Sequence, residues 1–148
     1  MKVLLLGAGG QLGMALQRLA PAGVDLATPT REELDICNAS QLREALSRFK
    51  PEVVINAAAY TEVDRAESER EKSFLVNAIA PGIVAESAAS LGARMLQVST
   101  DFVFSGDRPI PWERDAETAP VNVYGESKLA GERAVTRALG TGATVIRT

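Results

Sequence analysis

Short apolar runs alternate with longer amphipathic runs along the whole chain. The apolar runs predicted to be strands are 2–7, 24–28, 33–36, 52–59, 94–100 and 143–148. The amphipathic runs predicted to be helices are 11–20, 39–49, 73–92 and 123–139, with a Gly-, Pro- and Asp-rich loop at 105–120. Strands that are apolar throughout and separated by helices indicate a parallel sheet covered on both faces. The pattern therefore predicts a doubly wound α/β fold, in one domain over residues 1–148.

Capping residues, prolines and glycines mark several helix ends. Asn38 or Ser40 can cap the helix at 39–49, and Pro51 follows the end of that helix. Pro81 lies inside the helix at 73–92 and is expected to bend or interrupt it. The last helix carries a stripe of small residues, which should let it pack closely on a neighbouring element: Ser127, Ala130, Gly131, Ala134 and Ala138.

Composition and charge narrow the classes of partner. The 148 residues are 46% hydrophobic and carry a net charge of −3, with acidic and basic residues interspersed. Nucleic-acid binding needs clustered Lys and Arg, so no nucleic-acid partner is expected. No apolar run approaches the roughly 20 residues needed to cross a bilayer, so no membrane partner is expected either. Cys37 is the single cysteine and cannot form an internal disulfide, which favours a cytoplasmic location.

The absence of histidine restricts the chemistry. It removes Ser-His-Asp catalysis, general acid–base work by histidine and nearly every zinc site. Any proton transfer must therefore come from Tyr, Lys, Asp or Glu. No metal ligand is predicted, and a requirement for Mg²⁺ is left open.

The first predicted turn reads GAGGQLG, with Gly7, Gly10 and Gly13 at intervals of three. This turn follows the first strand and opens the first helix, as a dinucleotide-binding fingerprint must. Glycines at such a turn let the backbone approach a pyrophosphate, which then lies at the N-terminus of the helix. The alternative is a flexible glycine turn, which this context disfavours. The turn therefore predicts a Rossmann-type fold that binds NAD(P).

The residues after the second strand bear on which cofactor is bound. A site for NAD usually has an acidic residue at the end of this strand, where it binds the 2′-hydroxyl of the ribose. Here Asp25 comes too early and no acid follows until Glu32, whereas Arg31 is available for a 2′-phosphate. A loop arginine is often simply solvated, so the preference for NADPH is modest and NADH stays open.

Three later segments supply candidates for the rest of a site. Residues 54–67 end a strand in small side chains, which would leave room for a nucleotide but would equally suit an Ala-rich core strand. Thr100 and Asp101 follow the next strand, where a hydroxyl can bind a substrate carbonyl or simply cap the strand. Tyr124 and Lys128 are four residues apart in the last predicted helix, so their head groups share one face.

These motifs together resemble the extended short-chain dehydrogenase/reductase superfamily and, more closely, the dTDP-4-dehydrorhamnose reductase family within it. The resemblance is carried by GAGGQLG, NAAAYTEVDRAE, STDFVFSG and APVNVYGESKLAGE, which occur in the family's order with similar spacings. They cover nearly the whole chain. A Y-x-x-x-K pair alone is a loose signal, but NVYGESKLAGE combined with STDFVF is much more specific.

The resemblance implies the reduction of the C4 ketone of dTDP-6-deoxy-L-lyxo-4-hexulose to dTDP-L-rhamnose, with hydride from NADPH. It implies that Tyr124 is the general acid and that Lys128 binds the ribose hydroxyls next to the nicotinamide. Lys128 and the cationic oxidised nicotinamide would lower the pKa of the Tyr124 phenol. Thr100 would orient the ketone, and Asp101 would contact the sugar.

The same resemblance implies contacts to the cofactor. The residues expected at the pyrophosphate are Gly10, Gln11 and Leu12. Those expected at the adenine are Asp35 and Ile36, and those on the far side of the cofactor are Ala58, Ala59 and Tyr60. Asn77 aligns with an asparagine that helps to place the lysine in the wider superfamily. Phe102 and Ser105 depart from the family, which more often has Tyr and Asp there, and this affects the expected fit of the substrate.

Members of the family continue well past the length of this chain, and their later part supplies much of the sugar-nucleotide site and the dimer contacts. The chain is therefore expected to be the N-terminal part of a longer reductase and to lack the C-terminal substrate part. At this length it should bind NADPH weakly and reduce no dTDP-keto sugar at a measurable rate. A homodimer is expected only with the later part.

Two alternative functions remain. Another nucleotide-sugar reductase or epimerase would share every motif except the exact sequence NVYGESKLAGE. A non-catalytic, NADP-binding regulatory homologue is the alternative from another class. Loss of Tyr124 or Lys128 would have favoured it, and both residues are present.

Overall fold

The computed structural model describes residues 1–148, which form a single sheet of five parallel strands with helices between them. The strands are β1 Lys2–Leu6, β2 Asp25–Ala27, β3 Val53–Asn56, β4 Arg94–Ser99 and β5 Ala143–Arg147. They lie side by side in the order β2-β1-β3-β4-β5, and every neighbouring pair is parallel. The predicted α/β fold with a parallel sheet is confirmed.

The order of the strands decides which face each connecting helix covers. The helices are α1 Gln11–Arg18, α2 Ala39–Phe49, α3 Val63–Ala66, α4 Arg70–Phe74, α5 Ala80–Ser90 and α6 Val123–Leu139. The chain leaves β1 toward β2 in one direction through α1, and then moves in the opposite direction through α2, α5 and α6. Right-handed crossovers therefore place α1 on one face of the sheet and the other three helices on the other face. The sheet is doubly wound, as predicted.

The two faces of the sheet are covered unequally. The main core lies between the sheet and α2, α5 and α6, and its largest members are Leu4, Leu6, Leu42, Leu46, Val54, Val84, Met95 and Val135. On the other face, Leu5, Ile55, Leu96 and Thr144 are neighbours in one row across four strands. Leu5 is buried, but Ile55 and Leu96 are only half-buried and Thr144 is exposed. Beyond β1, this face of the sheet is therefore less covered than the face that packs on α2, α5 and α6.

The predicted strand at 33–36 is wrong. These residues form turns, in which the carboxylate of Asp35 accepts a hydrogen bond from the backbone N–H of Cys37 at 3.0 Å. Such an Asp turn satisfies the backbone locally and leaves no ladder to join. The apolar pattern arises because Leu34 is buried in the main core, where it anchors the turn.

The predicted long helix is a continuous helical run from Arg70 to Ser90 that contains one wide π-helical turn, Leu75–Ile79. Pro81 does not interrupt this run, because it lies in the first turn of α5, directly after the π-helical turn. Proline inside a helix usually clashes with the carbonyl of the residue four positions earlier. A wide turn changes the position of the preceding carbonyls and so removes this clash. The bounds of α2 and α6 agree with the prediction, and Asn38 caps α2 by accepting from Gln41.

The run Arg70–Ser90 is 21 residues long and, by length and composition alone, is apolar enough to cross a membrane. The sequence had indicated no segment of this kind. In the fold, α5 lies between α2 and α6, and Ala80, Val84, Ala85 and Ala88 are fully buried. The composition of this run is therefore that of a core helix.

Candidate active site

A cavity of about 570 Å³ lies at the carboxyl ends of β1, β2 and β3. The predicted cofactor residues that line it are Gly7, Gly10, Arg31, Asp35, Ile36, Ala58, Ala59 and Tyr60. The walls also include residues that were not predicted: Thr28, Pro29, Thr30, Cys37, Lys72 and Val76. The segment 28–30 directly follows β2, so the strand-end argument could have found it. Lys72 and Val76 come from a later helix, and only the tertiary structure brings them here.

The glycine turn after β1 forms one wall of the cavity through close backbone contacts. Gly7 has a φ of +80°, and a Cβ at this position would lie 2.4 Å from the backbone N of Ala58. A Cβ at Gly13 would lie 2.2 Å from the carbonyl oxygen of Gly7. These contacts let the end of β3 and the start of α1 both approach the turn, which is the backbone cradle that a pyrophosphate requires.

The N-terminus of α1 lies next to this turn. Gly10 precedes the helix, lines the cavity and donates its N–H to the carbonyl of Gly7 at 3.1 Å. Gln11 and Leu12 open the helix with exposed side chains, and neither side chain lines the cavity. Their contribution to a bound anion would therefore come from backbone N–H groups, which are unpaired at the start of a helix.

Arg31 is the free cation of the cavity. It is exposed, lines the cavity and forms no ion pair with a carboxylate. Cys37 is half-buried nearby, where burial and then the charge of Asp35 raise the pKa of its thiol. The thiol is therefore protonated and uncharged at neutral pH, and the positive charge of Arg31 is close enough to oppose part of the rise in its pKa.

Tyr124 lies in the first turn of α6, next to the end of β4. Its side chain is buried, and its ring makes an edge contact with the ring of Phe102 at 5.6 Å between centroids. Thr100, the residue after β4, is also buried and accepts a hydrogen bond from the backbone N–H of Phe102 at 3.2 Å. The fold thus brings together Thr100 and Tyr124, which the sequence had proposed as partners, with Asp101 adjoining them.

The pKa of Tyr124 does not follow the expectation. Burial raises the pKa of the phenol, and the charge of Asp101 raises it further, while the neighbouring Thr100 hydroxyl lowers it. Lys128 is not among the groups that act on it, because the ammonium group donates to the backbone carbonyl of Val98 at 2.7 Å. The expected lowering of this pKa by Lys128 is therefore wrong for the chain by itself. The phenol is protonated at neutral pH.

Lys128 is buried on the sheet side of α6. Burial lowers the pKa of its ammonium group to about 8, although the negative charge of Glu132, one helical turn later, opposes this shift. Glu132 is itself buried, and it accepts hydrogen bonds from the hydroxyl of Ser99 and from the guanidinium of Arg147, at 2.7 Å from Nη2. These contacts tie α6 to the ends of β4 and β5.

Asn77 lies in the π-helical turn and joins two elements through its side chain. The Oδ1 atom accepts from the backbone N–H of Tyr60 at 2.8 Å, and Nδ2 donates to the carbonyl of Tyr60 and to the hydroxyl of Ser127, both at 3.0 Å. Asn77 makes no hydrogen bond to Lys128, but it binds Ser127, the residue that precedes Lys128. A Cβ at Gly131 would lie 2.0 Å from the carbonyl oxygen of Asn77, so the small-residue stripe does allow the close packing expected of it.

Sequence reasoning missed several buried polar groups around the site. The amide of Asn56 donates to the side chain of Gln97 at 2.8 Å, under the ends of β3 and β4. Ser73 donates to Ser127 at 2.9 Å. A polar residue inside an otherwise apolar strand, as in RMLQVS, is a signal that could have identified Gln97, whereas nothing local marks Ser73.

Tyr60 connects the cavity with α6. It lines the cavity and also belongs to a small apolar cluster with Ala66, Val123 and Tyr124. The residues proposed for catalysis or substrate binding do not line the cavity itself: Thr100, Asp101, Tyr124 and Lys128. The candidate site therefore has two adjoining parts, a cavity of backbone and small side chains and the buried Tyr124 on α6. No group of three or more Asp, Glu, Cys or His residues that could hold a metal ion is present.

Comparisons with known proteins give a consistent result. The family model described as RmlD substrate binding domain matches residues 1–148. A dTDP-4-dehydrorhamnose reductase from Escherichia coli K12 is 44% identical over 140 residues, which are 91% of this chain and 46% of that protein. A Streptomyces antibioticus protein named "Probable dTDP-4,6-dihydroxy-2-methyloxan-3-one 4-ketoreductase" is 43% identical over 150 residues, covering 100% of this chain and 50% of that protein.

The solved structures agree with these relatives. The crystal structure of a Bacillus anthracis dTDP-4-dehydrorhamnose reductase in complex with NADP superimposes with a TM-score of 0.94 at 39% identity. The match covers 99% of this chain and 52% of that one. The chain thus spans about half the length of the relatives it matches.

Proposed function

We propose that this chain, which belongs to the RmlD substrate binding domain family, is the cofactor-binding part of an NADPH-dependent reductase of nucleotide sugars. In this proposal, residues 1–148 are an NAD(P)-binding Rossmann domain. The observation that carries it is the direct contact between the two parts of the site. A glycine-walled cavity meets, through Tyr60, the cluster that contains the buried Tyr124.

The residues of the cavity suit a dinucleotide. The turn from Gly7 to Gly13 offers backbone that no side chain obstructs, and the start of α1 offers unpaired N–H groups to a pyrophosphate. In the proposal, Asp35 and Ile36 contact the adenine, and Ala58, Ala59 and Tyr60 line the far side. Arg31 binds the 2′-phosphate that distinguishes NADPH from NADH.

The groups on α6 and β4 suit the reduction of a ketone. When bound, the nicotinamide cofactor supplies a hydride to the carbonyl carbon. Tyr124 holds a proton on its phenol at neutral pH and can donate it to the carbonyl oxygen, which Thr100 orients. In the proposal, Lys128, which is cationic below a pH of about 8, binds the ribose hydroxyls next to the nicotinamide, and Asp101 contacts the sugar.

The proposed substrate is dTDP-6-deoxy-L-lyxo-4-hexulose, and the proposed product is dTDP-L-rhamnose. The names of the Escherichia coli and Bacillus anthracis relatives support this choice, and the NADP bound to the latter supports NADP as cofactor. The name of the Streptomyces relative supports the second candidate, reduction of another dTDP-linked 4-ketosugar. A cytoplasmic location and a homodimer remain predictions.

The reaction is tested with a chain of the relatives' length that contains residues 1–148. We expect NADPH oxidation, followed by the loss of its near-ultraviolet absorbance, on addition of the dTDP-4-keto-6-deoxy sugar, and dTDP-L-rhamnose as the product by NMR. Oxidation only with a different 4-ketosugar would favour the second candidate. Binding of NADPH without turnover of any ketosugar would favour the regulatory alternative instead.

The cofactor preference is tested on the 148-residue chain by titration calorimetry. NADPH should bind more tightly than NADH, and Arg31→Ala should reduce the difference by about tenfold or more, because a hydrogen bond to a charged group contributes about 1.5–3 kcal/mol. Arg48→Ala removes an exposed, unpaired arginine from α2 and should change neither affinity. Equal affinities of the wild type for the two cofactors would contradict the role of Arg31.

A further inference from the structure

We infer that Glu67 is a positioning residue for Tyr124, because its carboxylate caps the N-terminus of α6 from a different part of the chain. The Oε1 atom of Glu67 accepts a hydrogen bond from the backbone N–H of Val123 at 2.9 Å. Val123 is the first residue of α6 and directly precedes Tyr124. The consequence for activity rests on the proposed function, whereas the cap itself does not.

The cap fills a position that α6 cannot fill alone. The first N–H groups of a helix have no carbonyl partner within that helix. Asn122 serves the N–H of Gly125 at 2.7 Å, which leaves the N–H of Val123 without a local acceptor. Glu67 supplies this acceptor from a site 56 residues earlier in the chain. A carboxylate at a helix N-terminus is also favoured by the helix dipole.

The segment that carries Glu67 also touches the wall of the cavity. Ala66 is fully buried and packs in one apolar cluster with Tyr60, Val123 and Tyr124. One turn later in both elements, Arg70 and Glu126 form an ion pair at 2.8 Å. The start of α6 is therefore held against the cavity wall by an apolar contact, a cap and an ion pair. Of these, only the cap acts on the backbone next to Tyr124.

Glu67 acts on Tyr124 by position and not by charge. The groups that shift the pKa of the phenol are Thr100 and Asp101, together with burial, and Glu67 is not among them. Removal of the carboxylate should therefore move the first turn of α6 without changing the proton affinity of Tyr124. A displacement of this kind lowers the rate of a step that depends on alignment, even though every reacting group is still present.

The cap is tested on the 148-residue chain by amide hydrogen exchange followed with NMR. Glu67→Ala should speed exchange of the Val123 amide by about tenfold, the effect of losing a hydrogen bond to a charged group. Glu67→Gln keeps an acceptor oxygen and should preserve most of the protection. Glu62→Ala removes an exposed carboxylate next to α3 and should have no effect at Val123. Unchanged exchange at Val123 in Glu67→Ala would overturn the cap.

The positioning role is tested on a chain of the relatives' length that contains residues 1–148. Glu67→Ala should lower kcat by about tenfold relative to Glu62→Ala, with the Kd for NADPH within about twofold of wild type, since a poorly aligned group affects the rate and not the binding. Glu67→Gln should recover most of the kcat, and the pH profile should keep its midpoint. Equal losses in the Gln and Ala variants, or a loss of NADPH affinity as large as that of kcat, would overturn the role.

Two controls keep these outcomes separate. Glu67→Asp retains the charge but shortens the side chain, so it should behave like Glu67→Ala, and it replaces that variant if the alanine protein does not fold. High kcat in Glu67→Asp would overturn the argument from position. If the wild-type protein reduces no ketosugar, the proposed function fails, and the exchange experiment still decides whether Glu67 caps α6.

Discussion

The glycine turn after β1 is held by contacts between backbone atoms, whereas the first turns of α6 are held by buried polar side chains. At the turn, Gly7 and Gly13 bring backbone within a distance that no side chain could share, and their contacts are to main-chain atoms. On α6, Ser127, Lys128 and Glu132 are buried polar side chains. Each of them is satisfied by a group from another element or from the previous turn.

This difference shows how each region can fail. The glycine turn is possible because Gly7 and Gly13 have no side chains. An added methyl group should therefore damage it, while loss of a distant polar group should not. The start of α6 depends on polar partners, since a buried donor or acceptor that loses its partner costs about 1–3 kcal/mol. The next three predictions test this contrast, from the largest expected effect to the smallest.

Tyr124→Phe should affect the proposed proton donor and leave the cavity unchanged. The change removes one oxygen and keeps the ring that packs against Phe102. Positioned general acids contribute about 10²–10⁴-fold, so kcat of the proposed reaction, measured on a chain of the relatives' length that contains residues 1–148, should fall by a factor in this range. The Kd for NADPH from calorimetry should stay within about twofold, because the cavity is unchanged. A variant that kept most of its activity would show that the proton comes from another group.

Lys128→Met should change how the free energy of unfolding depends on pH, because it removes a buried titratable group of α6. The pKa of Lys128 is about 8 in the fold and 10.5 in its ordinary state, so between these values the unfolded chain binds more protons than the folded chain. The free energy of unfolding of the wild type should therefore rise, relative to Lys128→Met, as the pH increases from 8 to 10.5. The total rise should be about 3 kcal/mol, since one pKa unit corresponds to about 1.36 kcal/mol.

Urea unfolding at several pH values measures this difference. Below a pH of about 8 the wild type carries the full cost of a buried cation, so Lys128→Met should gain most there. Lys50→Met changes an exposed lysine after α2, and its difference from wild type should not vary over the same range. A flat difference for Lys128→Met as well would mean that the ammonium group is not buried as the structure has it.

Gly13→Ala should break the glycine turn and leave α6 intact. The new Cβ would lie 2.2 Å from the carbonyl oxygen of Gly7, so α1 must move away from the turn. Such overpacking costs about 1–3 kcal/mol, and NADPH affinity should fall by about tenfold or more. Gly142→Ala adds a methyl group at ordinary contact distance, 3.5 Å from Leu139, and should leave the affinity unchanged. An unaffected Kd in Gly13→Ala would contradict the role of the turn.

The parts of the fold that the sequence predicted correctly are those with local signals. The ends of α2 are marked by Asn38 and Pro51, and the glycine turn is recognisable from residues 7–13 because it joins one strand to the next helix. The strand predicted at 33–36 was wrong because a single buried Leu34 gave it an apolar pattern while Asp35 formed a turn. The proposed pair of Thr100 and Tyr124 came from a resemblance and from strand-end reasoning, and the fold places the two together.

The sequence by itself determined the five strands and the main helices between them, the backbone cradle and the identity of the groups available for proton transfer. Those properties depend on neighbours within about one turn of chain, through periodicity, φ preferences and side-chain chemistry. Only the tertiary structure decided that the Lys128 ammonium binds the carbonyl of Val98, that Asn77 joins Tyr60 to Ser127 and that Glu67 caps α6. Burial and hydrogen bonding between distant segments set these contacts and the pKa values that follow from them, and no local pattern encodes how far a charge lies from water.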